Sequence, residues 1–175
     1  FEVDTNKLKC TAAADKSATL DFGEVDCYVG AKFTRQNTTS GLILRWADAS
    51  NYLLVRHDGT DLILSKVDAG VLSTIGSKTV TWTAGDEKFI LVELHGEEIR
   101  VSLDDTLMIA TTNNFNSGLT GSSTTAATRH GVGGKPADTS SRWEDFGGWR
   151  SLFYGRIDAV QPRPETNNQY TYIRA

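Results

Sequence analysis

Tyr52-Leu-Leu-Val-Arg-His-Asp-Gly-Thr-Asp-Leu-Ile-Leu-Ser-Lys-Val67 decides the architecture of this chain. Two apolar runs, Tyr52 to His57 and Leu62 to Val67, flank Asp58-Gly59. That dipeptide favours a type I′ turn, whose two central residues both take positive φ, so the segment is a β-hairpin. Toward the amino end, Gly41 to Trp46 is a strand that breaks at Asp48-Ala-Ser-Asn51. Before it, Gln36 to Ser40 is a polar loop. Val25 to Arg35 then alternates, with Cys27, Val29, Ala31 and Phe33 on one face and Asp26, Tyr28 and Lys32 on the other.

Toward the carboxyl end, Asp68-Ala-Gly70 turns into Val71 to Ile75. A second hairpin joins Lys88 to Leu94 with Ile99 to Leu103 through His95-Gly96, burying Val92, Leu94, Ile99, Val101 and Leu103. Evenly spaced short strands with hairpin turns and no helical period predict an all-β fold, an antiparallel β-sandwich. Asn113 to Thr128 and Gly131 to Ser141 are rich in Gly, Ser, Thr and Asn and read as long surface loops. The sandwich is expected over residues 1–150. Residues 151–175 read as a strand extension leading toward a following domain, with Leu152 to Val160 a strand, Gln161-Pro-Arg-Pro164 a break and Tyr170 to Ile173 the start of another strand.

Composition removes several classes of function. The net charge is −4 and no Lys/Arg cluster forms, so nothing tracks nucleic-acid phosphates. No stretch approaches the roughly 18 consecutive apolar residues of a spanning helix, so no membrane insertion is expected. Cys10 and Cys27 both sit at inward positions of alternating runs, which leaves buried thiols or one disulfide open.

Ala18-Thr-Leu-Asp-Phe-Gly23, Val25-Asp-Cys-Tyr-Val29, Gly41-Leu-Ile-Leu-Arg45, Asn51-Tyr52, Asp58-Gly59, Leu62 to Val67 and Trp82 to Asp104 follow one another in an order that resembles the concanavalin-A-like, laminin-G-like jelly roll. The resemblance spans Lys7 to Phe146. Thr128-Arg-His-Gly-Val132, Arg142-Trp-Glu-Asp-Phe146 and Leu152-Phe-Tyr-Gly-Arg-Ile157 are similar to such domains embedded in bacteriophage tail proteins. It implies a place in a larger multidomain or oligomeric assembly, outside the cell or on a virion surface, where a polysaccharide or cell-surface glycan is recognised. It also implies no cofactor, although Asp21, Asp104 and Asp145 offer ligands for a structural calcium if they are not simply solvated turn residues.

The enzyme class this fold resembles, glycan hydrolases, needs two carboxylates facing one cleft. On a strand that means two residues apart. Asp104/Asp105 and Glu144/Asp145 are adjacent and diverge, Glu97/Glu98 flank a turn beside Arg100, and Glu24/Asp26 start a strand beside Gly23. His57, His95 and His130 lack metal-helix spacing, and Gly131-Val-Gly-Gly-Lys135 runs into Pro136 where a phosphate cradle needs a helix. Catalysis is therefore not expected. Sugar binding asks for aromatic faces and planar polar groups on rigid strands. Arg45 lies in an apolar strand, and Tyr52, Leu54 and Arg56 alternate onto one face of its neighbour. Arg129, His130 and Trp143 border the long loops as a rim, while Trp46 and Trp82 read as core. The function expected is non-catalytic glycan recognition through Arg45, Tyr52, Arg56, Arg129, His130 and Trp143, against two rivals, a glycan hydrolase or lyase and a ligand-free structural spacer.

Overall fold

The computed structural model describes residues 2–4, 7–9, 16–111, 126–134, 140–150, 159–162 and 171–174. Among the described residues fifteen strands follow in chain order: β1 (Glu2–Asp4), β2 (Lys7–Lys9), β3 (Lys16–Asp21), β4 (Cys27–Thr34), β5 (Gly41–Asp48), β6 (Asn51–His57), β7 (Asp61–Asp68), β8 (Val71–Thr79), β9 (Glu87–His95), β10 (Glu98–Leu103), β11 (Thr106–Thr111), β12 (Arg129–Gly134), β13 (Arg142–Arg150), β14 (Ala159–Pro162) and β15 (Thr171–Arg174). Their order is β1-β2-β13-β4-β9-β10-β11 in a seven-stranded sheet and β3-β12-β5-β6-β7-β8 in a six-stranded one. All ladders are antiparallel. The architecture is the antiparallel jelly-roll sandwich that the strand pattern predicts.

The core lies between the sheets. Cys27, Val29, Ala31 and Phe33 of β4, with Ile90, Val92 and Leu94 of β9 and Ile99, Val101 and Leu103 of β10, meet Leu42, Leu44, Leu53, Val55, Leu62, Leu64 and Val132 from the other sheet. Alternate residues face opposite sides of a strand, which fixes this set. The outer face of the six-stranded sheet carries a buried apolar patch as well, beside Tyr52 and Arg56. Ile43, Leu54, Ile63 and Val67 are buried outside the core cluster. This explains the unbroken runs Leu42-Ile-Leu44, Leu53-Leu-Val55 and Leu62-Ile-Leu64, since a strand buried on both faces has no polar side to alternate with.

Three expectations need correction. Gly131 to Gly134 is not loop but part of β12, a central strand between β3 and β5. Asp58-Gly59 is not a two-residue type I′ turn. Only Gly59 has positive φ, and Asp58 Oδ1 accepts the Thr60 and Asp61 N–H groups at 2.9 and 2.8 Å, closing a three-residue loop. Gln161 and Pro162, expected in a break, end β14, which pairs with β15 in a separate two-stranded sheet. Cys27 is a free, buried thiol, whereas Cys10, much of Asn113 to Thr128 and Leu152 to Ile157 lie outside the described residues.

Candidate functional site

Arg45 and Tyr52, expected on one surface, point to different places. The β5–β6 register shifts between Leu44 and Asp48, and Arg45 takes φ 45°, so the alternation is reset there. Arg45 is 1% exposed, and its Nη2 donates to the Gly96 carbonyl at 2.8 Å. The same nitrogen lies 3.4 Å from Asp26 Oδ1, which also accepts the Gly96 N–H at 2.9 Å. Arg45 therefore ties β5 to the β9–β10 turn of the opposite sheet and is removed from any glycan-facing surface. Asp26, which lies two residues from Glu24 at the spacing of a paired carboxylate, is held in the same contact. Arg45→Met is expected to lower stability by about 2–3 kcal/mol, because it strands the Gly96 carbonyl and leaves Asp26 without its cation. The urea midpoint of unfolding checks this.

His130 and Trp143 face inward rather than forming a rim. Trp143 stacks on Phe33 with centroids 5.2 Å apart, and Trp82 meets the same Phe33 edge-on at 5.6 Å. Trp82 is the core residue its sequence predicts. His130 is fully buried, stacked on Phe22, with Nδ1 accepting the Arg45 N–H at 3.3 Å. That acceptor role leaves the proton on Nε2, which lies 3.5 Å from Cys27 Sγ. The pair has the outline of a nucleophile and base but not their ionisation. Burial, aided by Asp26 and Glu24, pushes the thiol up to about 11, and burial pushes the imidazole down to about 4. Both stay neutral at pH 7, so the contact is structural.

Tyr52, Arg56 and Arg129 do share a face. Tyr52 and Arg56 flank Leu54 on the outer side of β6, and Arg56 Nη1 donates to the Thr38 carbonyl at 3.2 Å. Arg129 projects to the same side from β12, two residues before Gly131, which pairs with Ile43. Its Nη2 donates to the Thr19 carbonyl at 3.3 Å, its Nε to Thr19 Oγ1 at 3.3 Å, and its guanidinium carbon stands 5.7 Å from the centre of the Trp46 ring. Trp46, expected in the core, is half-exposed here because the β5 bulge turns it outward. The alternation of Tyr52 and Arg56 was legible. Trp46 was missed, since a bulge of this kind carries no Gly or Pro signature in Arg45-Trp-Ala47.

Asp21, Asp104 and Asp145 are not brought together. Asp21 accepts from Thr128 Oγ1 and Gly23 N–H, Asp104 pairs with Lys88 at 2.8 Å, and Asp145 pairs with Lys32 at 2.8 Å. Among the described residues no group of three or more His, Cys, Asp or Glu is placed to hold a metal ion.

Two antiparallel sheets packed on one core define the class of jelly-roll β-sandwiches. Among solved structures, the chain is similar to the carbohydrate-binding module CBM66 from Bacillus subtilis, with TM-score 0.61 and 15% identity over 83% of this chain and 92% of that one. It is also similar to sheep galectin-11, solved in complex with glycerol, with TM-score 0.53 and 8% identity over 77% and 96% of the two chains. A GH43 protein from Bacillus licheniformis gives TM-score 0.55 and 13% identity over 82% of this chain, which spans only 31% of that protein. These likenesses are of fold. No family model and no curated protein matches the sequence.

Proposed function

We propose that this domain is a non-catalytic carbohydrate-recognition module that holds a glycan on the outer face of its six-stranded sheet through Trp46, Tyr52, Arg56 and Arg129. The observation that carries the proposal is the Arg129 guanidinium lying over the Trp46 ring while anchored to Thr19 on the neighbouring strand. It presents fixed donors beside an aromatic surface, as a sugar's hydroxyls and apolar ring face require. Arg56 and Arg129 are already held by the Thr38 and Thr19 carbonyls, so these two side chains lose little freedom on binding. Two proteins of similar fold, a carbohydrate-binding module and a galectin, support the same reading. In this role the domain works outside the cell or on a virion surface, as one part of a surface-directed assembly such as a phage tail.

Purified domain is incubated with a panel of immobilised bacterial and plant polysaccharides, scoring retained protein and newly released reducing ends. Retention without release is expected. Trp46→Ala combined with Arg129→Ala is expected to weaken it tenfold or more, since an aromatic stacking surface and a hydrogen bond from a charged donor are each worth about 1 kcal/mol or more. Undiminished retention by this variant, with an unchanged circular dichroism spectrum, removes that face. Release of reducing ends overturns the non-catalytic reading.

A further inference from the structure

On the far side of the sandwich, the outer face of the seven-stranded sheet carries a depression of about 220 Å³ lined by Tyr28, Leu91, Glu93, Arg100, Ser102 and Leu107. These residues form two cross-strand rows. Tyr28, Glu93 and Arg100 stand opposite one another across β4, β9 and β10. One row further on, Leu91, Ser102 and Leu107 do the same across β9, β10 and β11, with Gly30 at the β4 position. The first row is polar and already ordered. The Tyr28 hydroxyl donates to Glu93 Oε1 at 3.2 Å, Arg100 Nη1 lies 3.8 Å from Glu93 Oε2, and Arg100 Nη2 pairs with Glu98 Oε1 at 2.7 Å. The second row is apolar apart from Ser102, and its Leu107 is 56% exposed. Gly30 matters to this surface. A Cβ there would come within 2.8 Å of Phe89 Cζ, so glycine at this position leaves room for that ring where it stands.

The two rows match the two aspects of a sugar ring, one edge of hydroxyls that both donate and accept and one face of C–H groups. Glu93 accepts, Arg100 and Tyr28 donate, and the leucines cover the apolar face. Glu93 and Glu98 outnumber Arg100, so phosphates, sulfates and uronic acids are repelled and a neutral sugar is selected. The depression is smaller than a drug-sized pocket of about 300 Å³ or more, which limits it to one ring. We infer that the Tyr28–Glu93–Arg100 row and the Leu91–Leu107 row form a second site, for a single neutral sugar ring, and that the domain is bivalent with one glycan contact on each outer face. This rests on the reading of the domain as a glycan-binding module for the class of ligand, but not for the place.

The test is an amide-resolved NMR titration with methyl β-D-glucopyranoside, methyl β-D-galactopyranoside, methyl β-D-xylopyranoside and fructose, carried through the millimolar range where single-ring binding falls. At least one sugar is expected to give saturable shifts at Tyr28, Glu93, Arg100, Ser102 and Leu107. Glu93→Gln combined with Arg100→Ala should weaken that response tenfold or more, while Trp46→Ala leaves it unchanged. Absence of saturable shifts at these amides with every sugar overturns the site, as does a response that survives the double variant. Shifts here with none around Trp46 and Tyr52 sustain this site and overturn the other face. The reverse pattern overturns this site alone.

Discussion

Gly131→Ala is expected to destabilise the sandwich by about 4 kcal/mol or more. A Cβ at position 131 would lie 1.9 Å from the Ala18 carbonyl oxygen and 2.8 Å from Thr19 Cα, both backbone atoms of β3. β12 cannot retreat from β3, because β5 pairs with its other edge through Gly131, Val132 and Gly133. The added methyl must therefore open one of two ladders. Overpacking that backbone shifts cannot absorb costs about 4 kcal/mol or more, against a total stability of about 5–15 kcal/mol. Gly41→Ala meets the same obstacle at the Val55 carbonyl oxygen, 2.1 Å away. Gly147→Ala is the control, since nothing lies within 4 Å of a Cβ there. Soluble yield and thermal melting followed by circular dichroism decide the matter. A Gly131→Ala melt within a few degrees of the parent protein shows that β3 moves aside and that the close approach is not required.

The same glycine marks the limit of what local sequence conveys. Gly131-Val-Gly-Gly134 has the composition of a flexible loop, and glycine does disfavour a strand interior. Here it serves one, because the β3 backbone approaches Gly131 too closely for a side chain, and that is visible only once β3 lies beside it. By contrast, Cys27 to Phe33 and Ile99 to Leu103 announce their buried faces by period alone, and both take their expected sides. Hairpins were legible where turn chemistry is local, although Asp58 closes its loop with its side chain instead of its own backbone conformation.

The binding surfaces follow the same division. Tyr52 and Arg56 lie on one regular strand, so spacing sufficed to pair them. Arg45 and Trp46 follow Leu44 at the irregularity, where β5 carries two more residues than β6 and Arg45 takes positive φ, and this moved Arg45 into the interior and Trp46 onto the surface. Trp143 precedes the corresponding irregularity in β13, between Glu144 and Gly147, and remains in register opposite Phe33 in the core. The Tyr28–Glu93–Arg100 row joins residues far apart in the chain. Each reads correctly as outward-facing, but only the register of β4 on β9 makes them neighbours.

Stability should fall by about 3 kcal/mol between pH 6.5 and pH 4, and His130 should account for most of the loss. Its imidazole is buried against Cys27, Phe22 and the Arg45 backbone. Burial is the main cause that lowers its pKa from 6.5 to about 4, and the Arg45 charge adds to it, while the Glu24 backbone and Asp21 oppose it more weakly. The folded protein thus resists a proton that the unfolded chain accepts near pH 6.5. As pH drops through this window the unfolded state binds more protons and gains free energy relative to the folded one, and about 2.5 units correspond to about 3 kcal/mol. Well above pH 6.5 neither state is protonated at this group and its contribution is constant. Asp21, Asp48 and Asp58 are held below the usual carboxylate range by the Thr128 hydroxyl and by the Ser50 and Asp61 N–H groups. Their unfolded forms titrate near 3.8, so their losses come mainly below the histidine window. Urea midpoints measured from pH 7 to pH 4 should decline steadily in the parent protein. His130→Gln should be less stable at pH 7, because the Arg45 N–H loses its acceptor geometry, yet nearly flat down to pH 4.5. Equal slopes in the two proteins would mean that acid sensitivity arises from the carboxylates and not from this buried ring.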